Sequence, residues 1–144
     1  MEGSKTILVP IDFEEASAEA LAQARDLAET LGFEVVLLHV YAVPANFYSG
    51  IAPMIGPGLS EEIRVGAGEA LAKFAADHGN LRTMLRCGDP TTETLAAIEE
   101  LQPEMVVMGT HGRTGFTHLL LGSVAENVVR KSPVPVLTLR ATGS

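Results

Sequence analysis

Glycines at positions 109, 112, 115 and 122, with a serine at 123 and a glutamate at 126, follow a short apolar run from Met105 to Met108. The run reads as a buried strand. Ser123 and Glu126 have the spacing of a capping box, which marks a helix start by satisfying donors that the first turn leaves unpaired. A strand, a glycine-rich loop and a helix N-terminus in that order form an anion cradle. Glycine lets the main chain approach a phosphate closely, and the free N–H groups and the helix dipole attract negative charge. The connection from Thr110 to Leu121 is long for a compact domain, and such connections are usually functional or disordered. Its Phe116, Leu119, Leu120 and Leu121 weigh against disorder. His111 and Arg113 lie where they can approach phosphates, His111 mainly through its backbone. No Gly-Lys-Ser/Thr closes the motif, so it is not a P-loop, and it does not match the G-x-G-x-x-G dinucleotide fingerprint.

Other chemistry is sparse. Asp12 ends the first apolar run, where an aspartate ordinarily caps a helix or binds backbone in a turn. A receiver-type phosphorylation site would need clustered acids for Mg²⁺ and a lysine after the fifth strand, and neither is present. His39, His78 and His118 show no metal-ligand spacing with any cysteine or carboxylate, which argues against a zinc site. Cys87, beside Gly88, reads as a strand-end thiol without function. Thr114 and Thr117 are weak candidates for phosphorylation.

The elements that must position these residues alternate. Lys5 to Ile11 reads as a first strand. Apolar residues at 20, 21, 24, 27, 28 and 31 then form a helical stripe. Glu14 and Glu15 favour its start, and Gly32 suits the left-handed position past its end. Glu34 to Tyr41 is the second strand. The stretch 44–58 is irregular and reads as a connection or lid. Ser60 caps the next helix, with Glu61 and Glu62 in its first turn; Ile63, Ala67, Ala70, Leu71, Phe74 and Ala75 form one face, and Gly79 ends it. Leu81 to Cys87 is a more polar third strand, near an edge. Asp89 caps a helix that has Pro90 at its first position and Leu95, Ile98 and Leu101 on its core face. After the fourth strand (Met105–Met108) and the glycine loop comes a helix over Val124–Lys131, whose Arg130 and Lys131 suit its negative end. Pro133 to Leu139 is a fifth strand, placed at an edge because its prolines remove ladder donors. Alternating strands and helices imply an α/β fold, a parallel sheet covered on both faces and built by right-handed crossovers.

The 144 residues make one domain, 1–144, able to bury a substantial core. Although 47% of residues are apolar, no run approaches the ~20 needed to cross a bilayer. The opening Met1-Glu2-Gly3-Ser4-Lys5 has no apolar signal region, and the single cysteine suits a reducing compartment, so a cytoplasmic protein is expected. A net charge of −8 argues against nucleic acid and anionic membranes as partners, because both need basic patches.

Gly109-x-x-Gly112, nine residues, then Gly122-Ser123 resembles the ATP-binding signature of the universal stress protein family. The resemblance runs from Ile7-Leu8-Val9-Pro10-Ile11-Asp12 to Ser132-Pro133-Val134-Pro135-Val136-Leu137. It implies a sheet of order 3-2-1-4-5, which sets strands one and four side by side where the winding reverses, the place such sheets bind ligands. Asp12 and Gly109 end those two strands, so topology and motif select one crevice. By the same resemblance Asp12 contacts the adenine or ribose side, and Val40 offers its backbone N–H and C=O to an adenine edge. Pro10, Ile11, Met108 and Val124 complete the cofactor-binding set with Gly109, His111, Gly112, Arg113, Gly122 and Ser123. The Ile11 side chain itself offers no hydrogen bond. The expected ligand is ATP, with Mg²⁺ or Mn²⁺ carried by its own oxygens and water. The expected partners are a second copy of the chain, joined through the C-terminal strand, and an unidentified client protein. The function implied is a nucleotide-dependent switch in a stress response. The rival is a slow ATP hydrolase or nucleotidyl-transfer enzyme using the same pocket. No lysine lies within the signature and no paired carboxylates flank it, so dedicated catalysis is not indicated.

Overall fold

A run such as Ile7-Leu8-Val9, with every side chain fully buried, is stable only where both faces of its sheet are covered. The computed structural model, which describes residues 5–42, 57–110 and 123–140, has that layout. In chain order come β1 (Thr6–Pro10), α1 (Glu15–Leu31), β2 (Glu34–Tyr41), α2 (Pro57–Asp77), β3 (Arg82–Cys87), α3 (Pro90–Leu101), β4 (Met105–Gly109), α4 (Ser123–Lys131) and β5 (Val136–Leu139). The strands form one five-stranded parallel sheet of order β3-β2-β1-β4-β5.

Side chains alternate between the two faces. Ile7, Val9, Val35, Leu37 and Val107 pack with Ala20, Leu21, Ala24 and Ala28 of α1 and Leu71 and Ala75 of α2. Leu8, Val36, Leu38, Val106 and Met108 face Ala97 and Ile98 of α3 and Ala125 and Val128 of α4. Gly32 stops α1 at φ 76°, donating its N–H to the Ala28 carbonyl at 2.8 Å. Both edges of the sheet are the expected ones.

Several local expectations are corrected. Helix α2 begins at Pro57, so Ser60 lies within it and its first turn holds no acid. Proline suits a first helical position because its missing N–H would have had no partner there. Glu61 instead pairs with Arg64 one turn on. Ala70 is exposed, since the 3.6-residue period turns it to the flank of a stripe centred on Leu71 and Phe74. Leu31, the last residue of α1, is 49% exposed. On α3 the buried residues are Thr94, Ala97 and Ile98, while Leu95 and Leu101 pack half-buried at the margin. Helix α4 includes Ser123, and Glu126 Oε2 accepts from Arg130 at 3.1 Å. Strand β5 starts only at Val136, so Pro133 and Pro135 precede it and the edge owes nothing to their missing donors. The proposed lid lies outside the described residues over 43–56.

Asp89 caps α3 as expected, its Oδ2 accepting from the Thr92 N–H at 2.9 Å. That backbone bond is the main reason its carboxyl titrates below its ordinary value. A folded pKa below the unfolded one gives stability that is present above the unfolded value and lost as pH falls through the folded one. Asp89→Ala should therefore melt below the parent near neutrality, and the gap should narrow in acid, below the ordinary carboxyl value of ~3.9. Thermal melts across that range check this; a gap that stays constant assigns the effect to something other than the carboxylate.

Candidate functional site

Strand β1 stays paired with β2 as far as Pro10–Leu38, but its ladder with β4 comprises only Ile7–Met105 and Leu8–Val106. The two central strands part beyond that point, and a cavity of about 290 Å³ opens at their carboxyl ends. This is near the lower end of small-molecule sites, ~300–1,000 Å³. Pro10, Ile11 and Asp12 form one wall and Met108 and Gly109 another, while Val40 comes from β2 and Ser123 and Val124 from α4. Every sequence-predicted site residue within the described part of the chain thus lines one cavity. The remaining four, His111, Gly112, Arg113 and Gly122, lie outside the described residues, as do Thr114, Gly115, Thr117 and His118.

The backbone of Val40 faces this space. Leu38 O accepts from Ile11 N at 2.8 Å, so the groups of Leu38 point toward β1. Main-chain groups alternate in direction with period two, and those of Val40 therefore point the same way, past the end of β1. On the far side, the first-turn N–H groups of α4 lack intrahelical partners, and Ser123, Val124 and Ala125 bring that end of the helix to the cavity.

Asp12 takes the ordinary role weighed from sequence, binding backbone in a turn, while α1 is entered through Glu14 with no side-chain cap. Its Oδ1 accepts from the Ser17 hydroxyl at 2.6 Å and from the Glu14 N–H at 3.0 Å. The Ser17 oxygen in turn accepts from the Asp12 N–H at 2.9 Å. One carboxylate oxygen is thus committed to the turn, and Oδ2 has no partner among the described residues. Asp12 is also the one formally charged side chain among the described lining residues.

Gly109 has a reason the motif did not give. A Cβ there would lie 2.5 Å from the Ala16 carbonyl oxygen and 2.6 Å from its carbon. The residue must be glycine because the start of α1 crosses the end of β4 at that point, whatever ligand the cavity holds.

Sequence reasoning missed Ser17, His39, Pro90, Thr94 and Thr110 as lining residues. Thr94 carried a usable signal, a polar residue on the buried stripe of a helix. His39, discounted as a zinc ligand, lies at the wall with Nδ1 3.0 Å from the Ile11 carbonyl oxygen. Among the described residues no three histidines, cysteines or acids are placed to hold a metal. Cys87 is exposed and unbridged. No helix among the described residues is long and apolar enough to cross a membrane.

The sequence profile of the universal stress protein family matches residues 3–140. Universal stress protein MJ0531 of Methanocaldococcus jannaschii is 33% identical over 142 residues, covering 94% of this chain and 82% of that one. Universal stress protein MJ0577 of the same organism is 30% identical over 158 residues, covering 97% of each chain. The solved structure of MJ0577 superposes with a TM-score of 0.72, at 31% identity, over 98% of this chain and 99% of that one. A universal stress protein solved in complex with cAMP superposes with a TM-score of 0.69 over 98% of this chain and all of its own, and at 18% identity it speaks to the fold alone.

Proposed function

Since this chain belongs to the universal stress protein family, we propose that it binds ATP in the crevice between β1 and β4 and acts as a nucleotide-dependent switch in a cytoplasmic stress response. One observation carries the reading. Residues from β1, β2, β4 and the start of α4, chosen from sequence for nucleotide binding, line a single cavity at the reversal of the sheet.

In this reading Asp12 Oδ2 and the Val40 backbone hold the nucleoside, with Ile11 as an apolar wall. Ser123 and the N-terminus of α4 take the terminal phosphates, together with Gly112, Gly122, His111 and Arg113. Gly109 serves by letting α1 and β4 meet. A divalent ion would be held by ATP oxygens and water, because the described wall supplies a single carboxylate and half of it is engaged.

The chemistry expected is binding rather than turnover. Purified, nucleotide-stripped protein should hold ATP for many minutes, far below the ~1–10³ s⁻¹ of typical enzymes. Turnover within that range, abolished by Arg113→Ala, would establish the hydrolase reading instead.

Assembly follows from the edge strand. Val136, Leu137 and Leu139 on β5 are only half-buried, and an open edge of that kind invites pairing with a second copy. The chain should be a dimer at micromolar concentration by light scattering, weakened by Leu137→Asp. Circular dichroism must show that this variant stays folded. A monomer mass for the parent removes the idea.

A further inference from the structure

The geometry points to His39 as a positioning residue for the Asp12 turn, through paired holds on the two neighbours of Asp12. The inference deepens the ATP reading and rests on it for its consequence, though not for its structural content. On one side, His39 Nδ1 lies 3.0 Å from the Ile11 carbonyl oxygen. A carbonyl only accepts, so Nδ1 carries a hydrogen and donates it to Ile11. On the other side, the His39 ring packs on Phe13 with centroids 4.5 Å apart, and Phe13 meets Phe74 edge-on at 5.6 Å. Phe13 needs such support. Its φ is +66°, a conformation a bulky side chain rarely adopts and which persists only where the surroundings over-determine it. Strain of this kind concentrates at functional sites, and here it sits one residue after the predicted nucleoside contact.

Asp12, Glu14 and Ser17 hold one another at the entry to α1, and the turn is tied to β2 through Ile11 N on Leu38 O. His39 adds a second tie from β2, on the same strand that presents the Val40 backbone to the crevice. One strand therefore sets both halves of the proposed nucleoside site, which keeps their spacing constant.

Two substitutions separate the contributions. His39→Phe keeps an aromatic face for Phe13 and removes the donor to Ile11. His39→Asn places an amide N–H where Nδ1 was and removes the ring. Amide exchange without nucleotide reads the turn directly. The Asp12 and Glu14 N–H groups should exchange faster in His39→Phe and recover at least partly in His39→Asn, while the β1 and β4 amides stay protected. Calorimetric titration with MgATP should show affinity about tenfold weaker in His39→Phe, equivalent to about 1.4 kcal/mol, with partial rescue in His39→Asn. In an Asp12→Ala background His39→Phe should cost nothing further, because the two act as a unit. Unchanged exchange at Asp12 and Glu14 in folded His39→Phe overturns the inference, whatever ATP does. Faster exchange with undiminished ATP affinity, or full additivity with Asp12→Ala, overturns its link to binding. A parent protein that binds no ATP defeats the functional reading instead, and the exchange result still decides whether His39 holds the turn.

Discussion

Gly109→Ala should destabilise the protein by about 3 kcal/mol, the upper end of what overpacking a close-packed interior ordinarily costs. At roughly 2–8 °C per kcal/mol for domains of this size, that is a large drop in melting temperature for one methyl group. The added carbon would sit 2.5 Å from the Ala16 carbonyl oxygen, 2.6 Å from its carbonyl carbon and 2.7 Å from its Cβ. Two of these three neighbours are backbone atoms in the first turn of a helix, so no rotamer change relieves the contact. Either α1 lifts from the sheet or β4 bends away. Ala16 is itself buried at 3% exposure, and neither movement is free. Ala16→Gly removes only the Cβ contact and should rescue Gly109→Ala poorly. The variant should also bind ATP weakly, because Ser17, which holds Asp12, follows Ala16 directly. A Gly109→Ala melting curve within experimental error of the parent would show that the helix is not pressed on the strand at this point.

The second large effect is the response to ligand. ATP that binds only the folded state stabilises it by ~2.7 kcal/mol at a hundred times its dissociation constant. Nucleotide-stripped protein should therefore melt clearly higher with MgATP, and GTP should do less because the nucleoside contacts expected of Asp12 and Val40 favour adenine. Gly122→Val places a branched side chain where the phosphates are expected to meet the main chain. It should abolish the shift while leaving a cooperative transition of its own. Ser123→Ala is gentler. It removes one hydroxyl from the first turn of α4, so the shift should shrink without vanishing. Full retention of the shift in Gly122→Val would falsify the phosphate role of this loop. The Gly109 and Gly122 variants also discriminate between two uses of glycine, the first expected to fail mainly in stability and the second mainly in ligand response.

Much of this protein is written locally. Alternating buried runs and helical stripes were enough for every strand and helix described, because burial on a sheet face or a helix side imposes its own period on the chain. Gly32 and Asp89-Pro90 declared their helix ends for the same reason, since a cap is a contact between near neighbours. The order of the strands came from the family resemblance, and the structure has the same order. Tertiary structure alone decided what depends on residues distant in sequence. The need for glycine at 109 arises from Ala16, which belongs to another element altogether. For His39 the sequence spoke only against a metal-ligand role, and it is the sheet that brings it against Ile11 and Phe13. The β1–β4 crevice exists because two strands stop pairing after Leu8 and Val106, and pairing length is a property of neither strand by itself. Ala70 and Leu31 show the complementary limit: an apolar side chain at the margin of a stripe is buried only if a partner reaches that far, and the sequence of the helix does not contain the partner.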